Sequence, residues 1–491
     1  MELSRLENFL QDKRTLWIVG ALTIVLFSIA NLPWQLDDYD QAKQAFTSLE
    51  MIKDGRWFYQ QTPHEHVATK PPLIGWISAG LFATTRLWDL AWRLPSFLAA
   101  IATSILLFRA AAVAYGSVAG LIALSAFGLN LLSPRLATLV RTDMPLAFVI
   151  FLIGLLIWQK VRDNQPWDRH DRLSIFALVT AAMLIKGPVV YAFLLPGILF
   201  FQFWGCRRHA CHHNAWCGWW PWLAPLGIFL LWIVGGILFQ SGFFDEVVLQ
   251  EFVARFGETI HRPQPLYFYL PHLLHKFLPW SLLMIALAII HLHSRRWKIL
   301  AAFREMSPET LWLLCWILCG LLAMSLIPSK RVDRIFPIMP SLCLLLAMQI
   351  GTASVIGHLR TQVYRWSAVA LLLSILLSGG YTISKVVSGC RDHRDALAVF
   401  GRKVRHEAEV HHWRYEALSG KDEGLLLYLQ KTHFIAPDRA IGEWNRGNLD
   451  ALVASTEKAP ALMRELRDAV LSALKSNERK DERTGYVLIT R

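Results

Sequence analysis

Two clusters near the start of the chain hold groups that could do chemistry. The first is Leu36-Asp37-Asp38-Tyr39-Asp40-Gln41, and the second is Ala68-Thr69-Lys70-Pro71-Pro72. They follow the first apolar stretch directly, so carboxylates and a lysine are placed at a membrane surface, where charge is costly and usually functional. A carboxylate there can take the proton of a hydroxyl nucleophile, and a lysine can hold a phosphate. The plainer reading makes Asp40 a helix cap and lets Lys70 snorkel to water.

The elements between them must position both. Ala42, Ala45, Phe46, Leu49 and Ile52 recur with helical spacing, while Lys43, Gln44, Glu50, Lys53 and Asp54 fall largely elsewhere. This predicts an amphipathic helix lying along the interface, ended by Gly55 and Arg56-Trp57. Trp57, Phe58 and Tyr59 suit the headgroup zone.

The whole chain is built for a bilayer. It has 491 residues, 54% of them hydrophobic, and its apolar runs repeatedly reach about 20 residues, which excludes an ordinary soluble protein. The formal charge of +13 does not point to nucleic acid, because the basic residues are scattered through short loops between spans. Residues 16–32 lack a small-residue cleavage site and read as a retained first helix. Seven Cys, several inside spans, form no disulfide pattern.

Arg5, Lys13 and Arg14 put the N-terminus in the cytoplasm and residues 37–70 outside. Further spans are expected near 91–108, 117–136, 141–160, 173–186, 188–204, 219–240, 267–292, 309–327, 335–356 and 366–388. The short, Pro-initiated stretch 72–87 reads as re-entrant or juxtamembrane. The count is about 11, within a range of about 11 to 13, for a polytopic α-helical membrane protein. Residues 1–390 form its transmembrane domain, with an external loop at 34–72 carrying juxtamembrane helices. Residues 391–491 are polar and charge-balanced and predict a small soluble α/β domain outside the membrane. Its strand-like runs are 425–429, 451–454 and 486–489, and 462–474 reads as helical.

This topology gathers Asp37, Asp38, Asp40, Lys70, Asp143, Lys186, Arg255, His261, Arg262, Lys330, Arg331 and Arg334 on the outer side. The translocated side should be poor in Lys and Arg beside spans, so these cations need a reason. A transferase acting on a lipid phosphate supplies one: cations hold the phosphate and stabilise it as leaving group, and an Asp accepts the acceptor's proton.

Further motifs extend the pattern over most of 15–350. They include Asp54-Gly55-Arg56-Trp57, Trp92-Arg93-Leu94-Pro95-Ser96, Arg141-Thr142-Asp143-Met144-Pro145, Leu184-Ile185-Lys186-Gly187-Pro188, Leu278-Pro279-Trp280-Ser281 and Ser329-Lys330-Arg331. With the two opening clusters, this order resembles the GT-C glycosyltransferases related to the protein O-mannosyltransferases and the lipid A aminoarabinose transferases. The resemblance implies a GT-C fold in a bacterial inner membrane, with the active site and C-terminal domain periplasmic. It implies an inverting transfer from a polyprenyl-phosphate sugar to an envelope acceptor: lipid A, another glycolipid, a polysaccharide or a protein. Asp40 then matches the first-loop catalytic aspartate and Asp143 the second essential acid. Lys70 matches the ligand of the lipid phosphate, with Arg255, Lys330 and Arg331 as further phosphate contacts. Asp38, Lys186, His261 and Arg334 are candidates for other substrate contacts. Asp143 can equally serve as an N-cap ahead of Met144-Pro145.

Three positions depart from the family pattern. Gln41 and Thr69 stand where acids are common, which weakens the case for a divalent metal, and Asp333-Arg334 replaces a frequent His-Tyr. Cys206, Cys211 and Cys217, interleaved with His209, His212 and His213, match no usual zinc spacing. Two other classes compete with the enzyme reading. A flippase of lipid-linked sugars would line a pathway with the same cations but should show repeat symmetry and paired broken helices. A structural scaffold leaves the outer cations without a purpose.

Overall fold

The computed structural model describes residues 2–36, 39–64, 66–206, 214–254, 263–294, 306–355, 357–418, 424–476 and 485–491. The chain divides into two compact units. The first comprises Met1–Ala30, Thr69–Leu73 and Arg93–Ile383, and the second Asn31–Ala68, Ile74–Trp92 and Ser384–Arg491.

The first unit is helical and belongs in a membrane. Among the described residues, six helices are long and apolar enough to cross: Leu94–Tyr115, Asp143–Asp163, Trp220–Phe239, Pro308–Leu326, Val332–Val355 and Leu359–Arg391, the last running on into the second unit. A seventh crossing is possible through the pair Leu266–Lys276 and Trp280–His293, bent by 103°. The rest of the expected series consists of shorter helices, such as Lys13–Ile29, Ser117–Gly128 and Val189–Cys206, or more polar ones, such as Arg169–Lys186.

One expected span is divided. The helix Ser117–Gly128 stops well short of residue 136, and a separate turn, Ser133–Ala137, follows. The cause is Asn130, which is fully buried. Its amide donates to the carbonyls of Ala126 and Phe127 and to Ser133 Oγ, and its Oδ1 accepts from the N–H groups of Leu132 and Ser133. Backbone groups left open by the break are thereby satisfied inside the protein, as an apolar surrounding requires.

Close helix packing comes from small residues. A Cβ on Gly197 would lie 3.1 Å from the backbone of Cys315 and Trp316, and one on Gly320 would lie 3.2 Å from the Phe193 carbonyl. Glycine at both positions lets Val189–Cys206 and Pro308–Leu326 approach backbone to backbone, the contact that binds helices where lipid removes the hydrophobic drive.

In the second unit the helix Tyr39–Lys53 forms as predicted, and the chain turns at Gly55, whose φ is +69°. Its surroundings differ from the expected open interface. Ala42, Ala45, Phe46 and Leu49 are buried, but so are Gln44 and Glu50 on the face read as polar. Met51 packs beside Gly75, and Ala42 lies beside Gly424. An amphipathic pattern records which residues are polar; it does not record what covers them.

The C-terminal part holds a four-stranded sheet: β1 (Tyr415–Ala417), β2 (Ala451–Ser455), β3 (Val470–Lys475) and β4 (Tyr486–Thr490), in the order β1-β2-β4-β3. Only the β1–β2 pairing is parallel. Trp444, Leu452, Leu462, Val487 and Ile489 fill the core against it. Strands at 451–454 and 486–489 agree with the sequence reading, and two assignments need correction. Residues 425–429 lie in the helix Gly424–Leu429, since a short run buried on every side has no periodicity to separate helix from strand. The stretch 462–474 leaves its helix at Leu462 and becomes β3, because pairing with β4 overrides local propensity.

Candidate active site

Two of the first unit's charged groups lie at neighbouring helix ends. Asp143 opens the helix Asp143–Asp163, and Lys186 closes the next one, Arg169–Lys186. A helix N-terminus favours a carboxylate and a C-terminus an ammonium, so each group is stabilised by its own helix before the two meet. Lys186 Nζ then donates to Asp143 Oδ1, with both side chains largely buried. At the far ends of the same helices Lys160 pairs with Asp171 at 2.6 Å. The two antiparallel helices are thus pinned top and bottom, and Asp143 cannot swing away.

Around this pair the charges continue. Arg141 donates to Asp333 at 2.8 Å, and the fields of Lys186, Arg141 and Lys70 all act on Asp143. Lys70 donates to Glu251, which lies on the π-helical segment Phe244–Val253. Lys330 donates to the Gln264 carbonyl at 2.9 Å, and burial pulls its ammonium below the ordinary value. Arg334 donates to the carbonyl and the hydroxyl of Ser329, at 2.7 and 3.1 Å. Arg331 immediately precedes the tight turn Val332–Ile338. Lys70, Arg141, Lys186, Lys330, Arg331 and Arg334 outnumber Asp143, Glu251 and Asp333, which leaves an excess of positive charge suited to an anion.

Two motif residues act as scaffold. Arg93 donates to the Thr138 carbonyl at 3.2 Å, and the Ser96 hydroxyl reaches the carbonyls of Leu139 and Arg141, at 2.8 and 3.3 Å. Together they fix the backbone that carries Arg141 and Asp143.

The predicted residues are therefore distributed as follows. Lys70, Asp143, Lys186, Lys330, Arg331 and Arg334 belong to the first unit. Asp40 belongs to the second, exposed in the first turn of Tyr39–Lys53 rather than at its cap. Asp37, Asp38, Arg255, His261 and Arg262 lie outside the described residues. So do His209, Cys211, His212 and His213, and with them most of the Cys/His run. Cys217 is buried, which pushes its thiol up to about 11. Among the described residues no three His, Cys, Asp or Glu side chains gather to hold a metal.

Sequence reasoning missed Glu251 altogether and gave Arg141 no role of its own. Glu251 is an acid in the stretch 241–265, which was noted only for its cations, and that isolation was the signal available. Asp333 was noted as a departure, and its pairing with Arg141 gives the departure a structural reason.

Residues 69–234 match the dolichyl-phosphate-mannose-protein mannosyltransferase family, a stretch that holds Lys70, Arg141, Asp143 and Lys186. The crystal structure of ArnT from Cupriavidus metallidurans bound to undecaprenyl phosphate superposes with a TM-score of 0.68 at 18% identity, over 96% of this chain and 97% of that one. The chain has the GT-C glycosyltransferase fold. Apo ArnT shares the GT-C fold at a TM-score of 0.62 and 18% identity, with 97% and 98% of the two chains covered. So does the oligosaccharyltransferase AglB from Archaeoglobus fulgidus, solved with an inhibitory peptide and a dolichol-phosphate. Its TM-score is 0.53 at 12% identity, over 90% of this chain and 69% of AglB. A comparison with curated protein sequences finds no significant match.

Proposed function

We propose that this membrane protein is a glycosyltransferase that moves a sugar from a polyprenyl-phosphate donor to an envelope acceptor on the outer face of the bacterial cytoplasmic membrane. The observation that carries the reading is the set of cations on the first unit, with Lys186, Arg141 and Lys70 acting on the buried Asp143, Arg141 paired with Asp333, and Lys330, Arg331 and Arg334 flanking Asp333 in the chain, on a GT-C fold. Buried cations in a membrane unit are expensive unless they serve a ligand, and a lipid-borne phosphate arriving through the bilayer is a ligand that needs them.

In this scheme Lys70 and the arginines hold the donor phosphate, and Asp143, fixed by Lys186, orients the substrate. Asp40 accepts the proton of the acceptor hydroxyl. The hydroxyl oxygen bonds to the anomeric carbon as the bond from that carbon to the phosphate oxygen breaks, and polyprenyl phosphate leaves with the electron pair. A single displacement inverts the anomeric configuration. Arg255 and His261 join the phosphate and substrate contacts. Residues 391–491 face the periplasm and engage the acceptor, which is lipid A, another glycolipid, a polysaccharide or a protein.

The test uses purified protein in liposomes supplied with polyprenyl-phosphate sugars and envelope glycolipids. Wild type should transfer sugar, and Asp40→Asn should lower the rate by about 10²-fold or more. Undiminished transfer by Asp40→Asn would remove the base from the scheme. Movement of the lipid-linked sugar across the bilayer without transfer would replace the enzyme with a flippase.

A further inference from the structure

The pairs Asp143–Lys186, Arg141–Asp333 and Lys70–Glu251 are not equally closed. Asp143–Lys186 and Arg141–Asp333 keep every side chain at 13% exposure or less, whereas Lys70 is 31% exposed and Glu251 is 19% exposed. The two closed pairs join helix ends and a tight turn. Glu251 instead rides on Phe244–Val253, and a π-helical segment is rare and common at functional sites. That segment is held at its start by Phe243 and by Val247, both fully buried, while Phe244, Leu249 and Val253 are 40–57% exposed. The Lys70 pair is thus the most accessible of the three.

We propose that Glu251 is an internal competitor for the phosphate at Lys70, and that its return to Lys70 releases the spent lipid carrier. The inference rests on the reading of Lys70 as a phosphate ligand. It follows from the charge change during transfer. The donor is a phosphodiester with a single negative charge, while the product is a phosphate monoester carrying about −1.5 to −2 at neutral pH. A bare cation cluster would therefore hold the product more tightly than the donor and stall turnover. A carboxylate poised beside Lys70 offsets this by offering the ammonium another anion each time the phosphate lets go.

The experiment measures binding of undecaprenyl phosphate to the full-length protein in detergent, for wild type, Glu251→Gln, Lys70→Ala and the double variant. Glu251→Gln should bind about tenfold more tightly, as expected if Lys70 is open to phosphate about a tenth of the time. In turnover it should lower kcat and KM together and strengthen inhibition by added undecaprenyl phosphate. Glu251→Asp, which keeps the carboxylate, should behave like wild type, and Glu251→Gln should add no affinity in the Lys70→Ala background. Unchanged or weaker binding by Glu251→Gln, or an equal gain without Lys70, overturns the competitor role while leaving Lys70 as a phosphate ligand. Wild type that binds no undecaprenyl phosphate overturns both.

Discussion

The two units build ion pairs from the same chemical groups and set them in different surroundings. In the first, Asp143–Lys186 and Arg141–Asp333 have side chains only 8–13% exposed. In the second, Arg414 grips Asp450 through several hydrogen bonds yet remains 57% exposed, and Arg402 and Asp89 are about half exposed. Exposed pairs contribute little to stability, whereas buried ones cost desolvation that their attraction barely repays. A fold that wanted only stability would fill the first unit with apolar side chains. The buried pairs at Asp143 and Arg141 make sense as a site, and Arg414–Asp450 and Arg402–Asp89 as ordinary surface chemistry.

The sharpest way to break this contrast is at Asp143. Asp143→Asn should reduce transfer by about 10² to 10⁴-fold. It should also destabilise the protein by about 3–5 kcal/mol, because Lys186 is left buried without its counter-ion. Replacing both, as Asp143→Leu with Lys186→Met, should restore much of the stability measured by thermal unfolding in detergent but none of the activity. Recovery of activity in the double variant would make the pair a mere strut. Next in size, Asp333→Asn should cost about 3–5 kcal/mol by removing the buried carboxylate that Arg141 pairs with, with part of the loss returned when Arg141→Met is added.

Glu50 extends the comparison, since it is a buried acid of the second unit. Its carboxylate accepts the Gln61 N–H at 2.6 Å and Arg56 at 3.1 Å, tying the 56–68 hairpin to its helix. Burial, only partly opposed by these partners, raises its pKa from 4.5 to about 7. An acid whose folded pKa is raised favours the folded state when protonated. Its contribution is therefore complete below pH 4.5 and is lost as pH climbs through 7. The swing is about 3 kcal/mol, and Glu50→Gln should flatten that part of the pH–stability curve. A curve unchanged by Glu50→Gln would make Glu50 an ordinary ionised partner of Arg56. The smallest effect belongs to Arg414→Ala, whose exposed pair should leave thermal unfolding almost unchanged, and a large loss would erase the contrast.

How far the sequence led depended on the range of the information needed. The membrane class, the helix at Tyr39–Lys53 and two strands follow from local periodicity, which each segment carries in itself. Asp143 and Lys186 stood out singly as charges at span ends, but their pairing depends on two neighbouring helices running antiparallel. The partnerships of Lys70 with Glu251 and of Arg141 with Asp333 join residues far apart in the chain, and no spacing announces them. Asn130 shows the reverse failure, where one polar side chain inside an apolar run divides a predicted span.

On the proposed function, the first unit's cations hold a lipid phosphate. The most direct measurement is the amount of polyprenyl phosphate bound by purified wild type and Lys70→Ala, read by native mass spectrometry across a lipid titration. Wild type should bind saturably one to one, and Lys70→Ala should lose about tenfold or more in affinity. Equal binding by the two proteins, with Lys70→Ala fully folded, would contradict it.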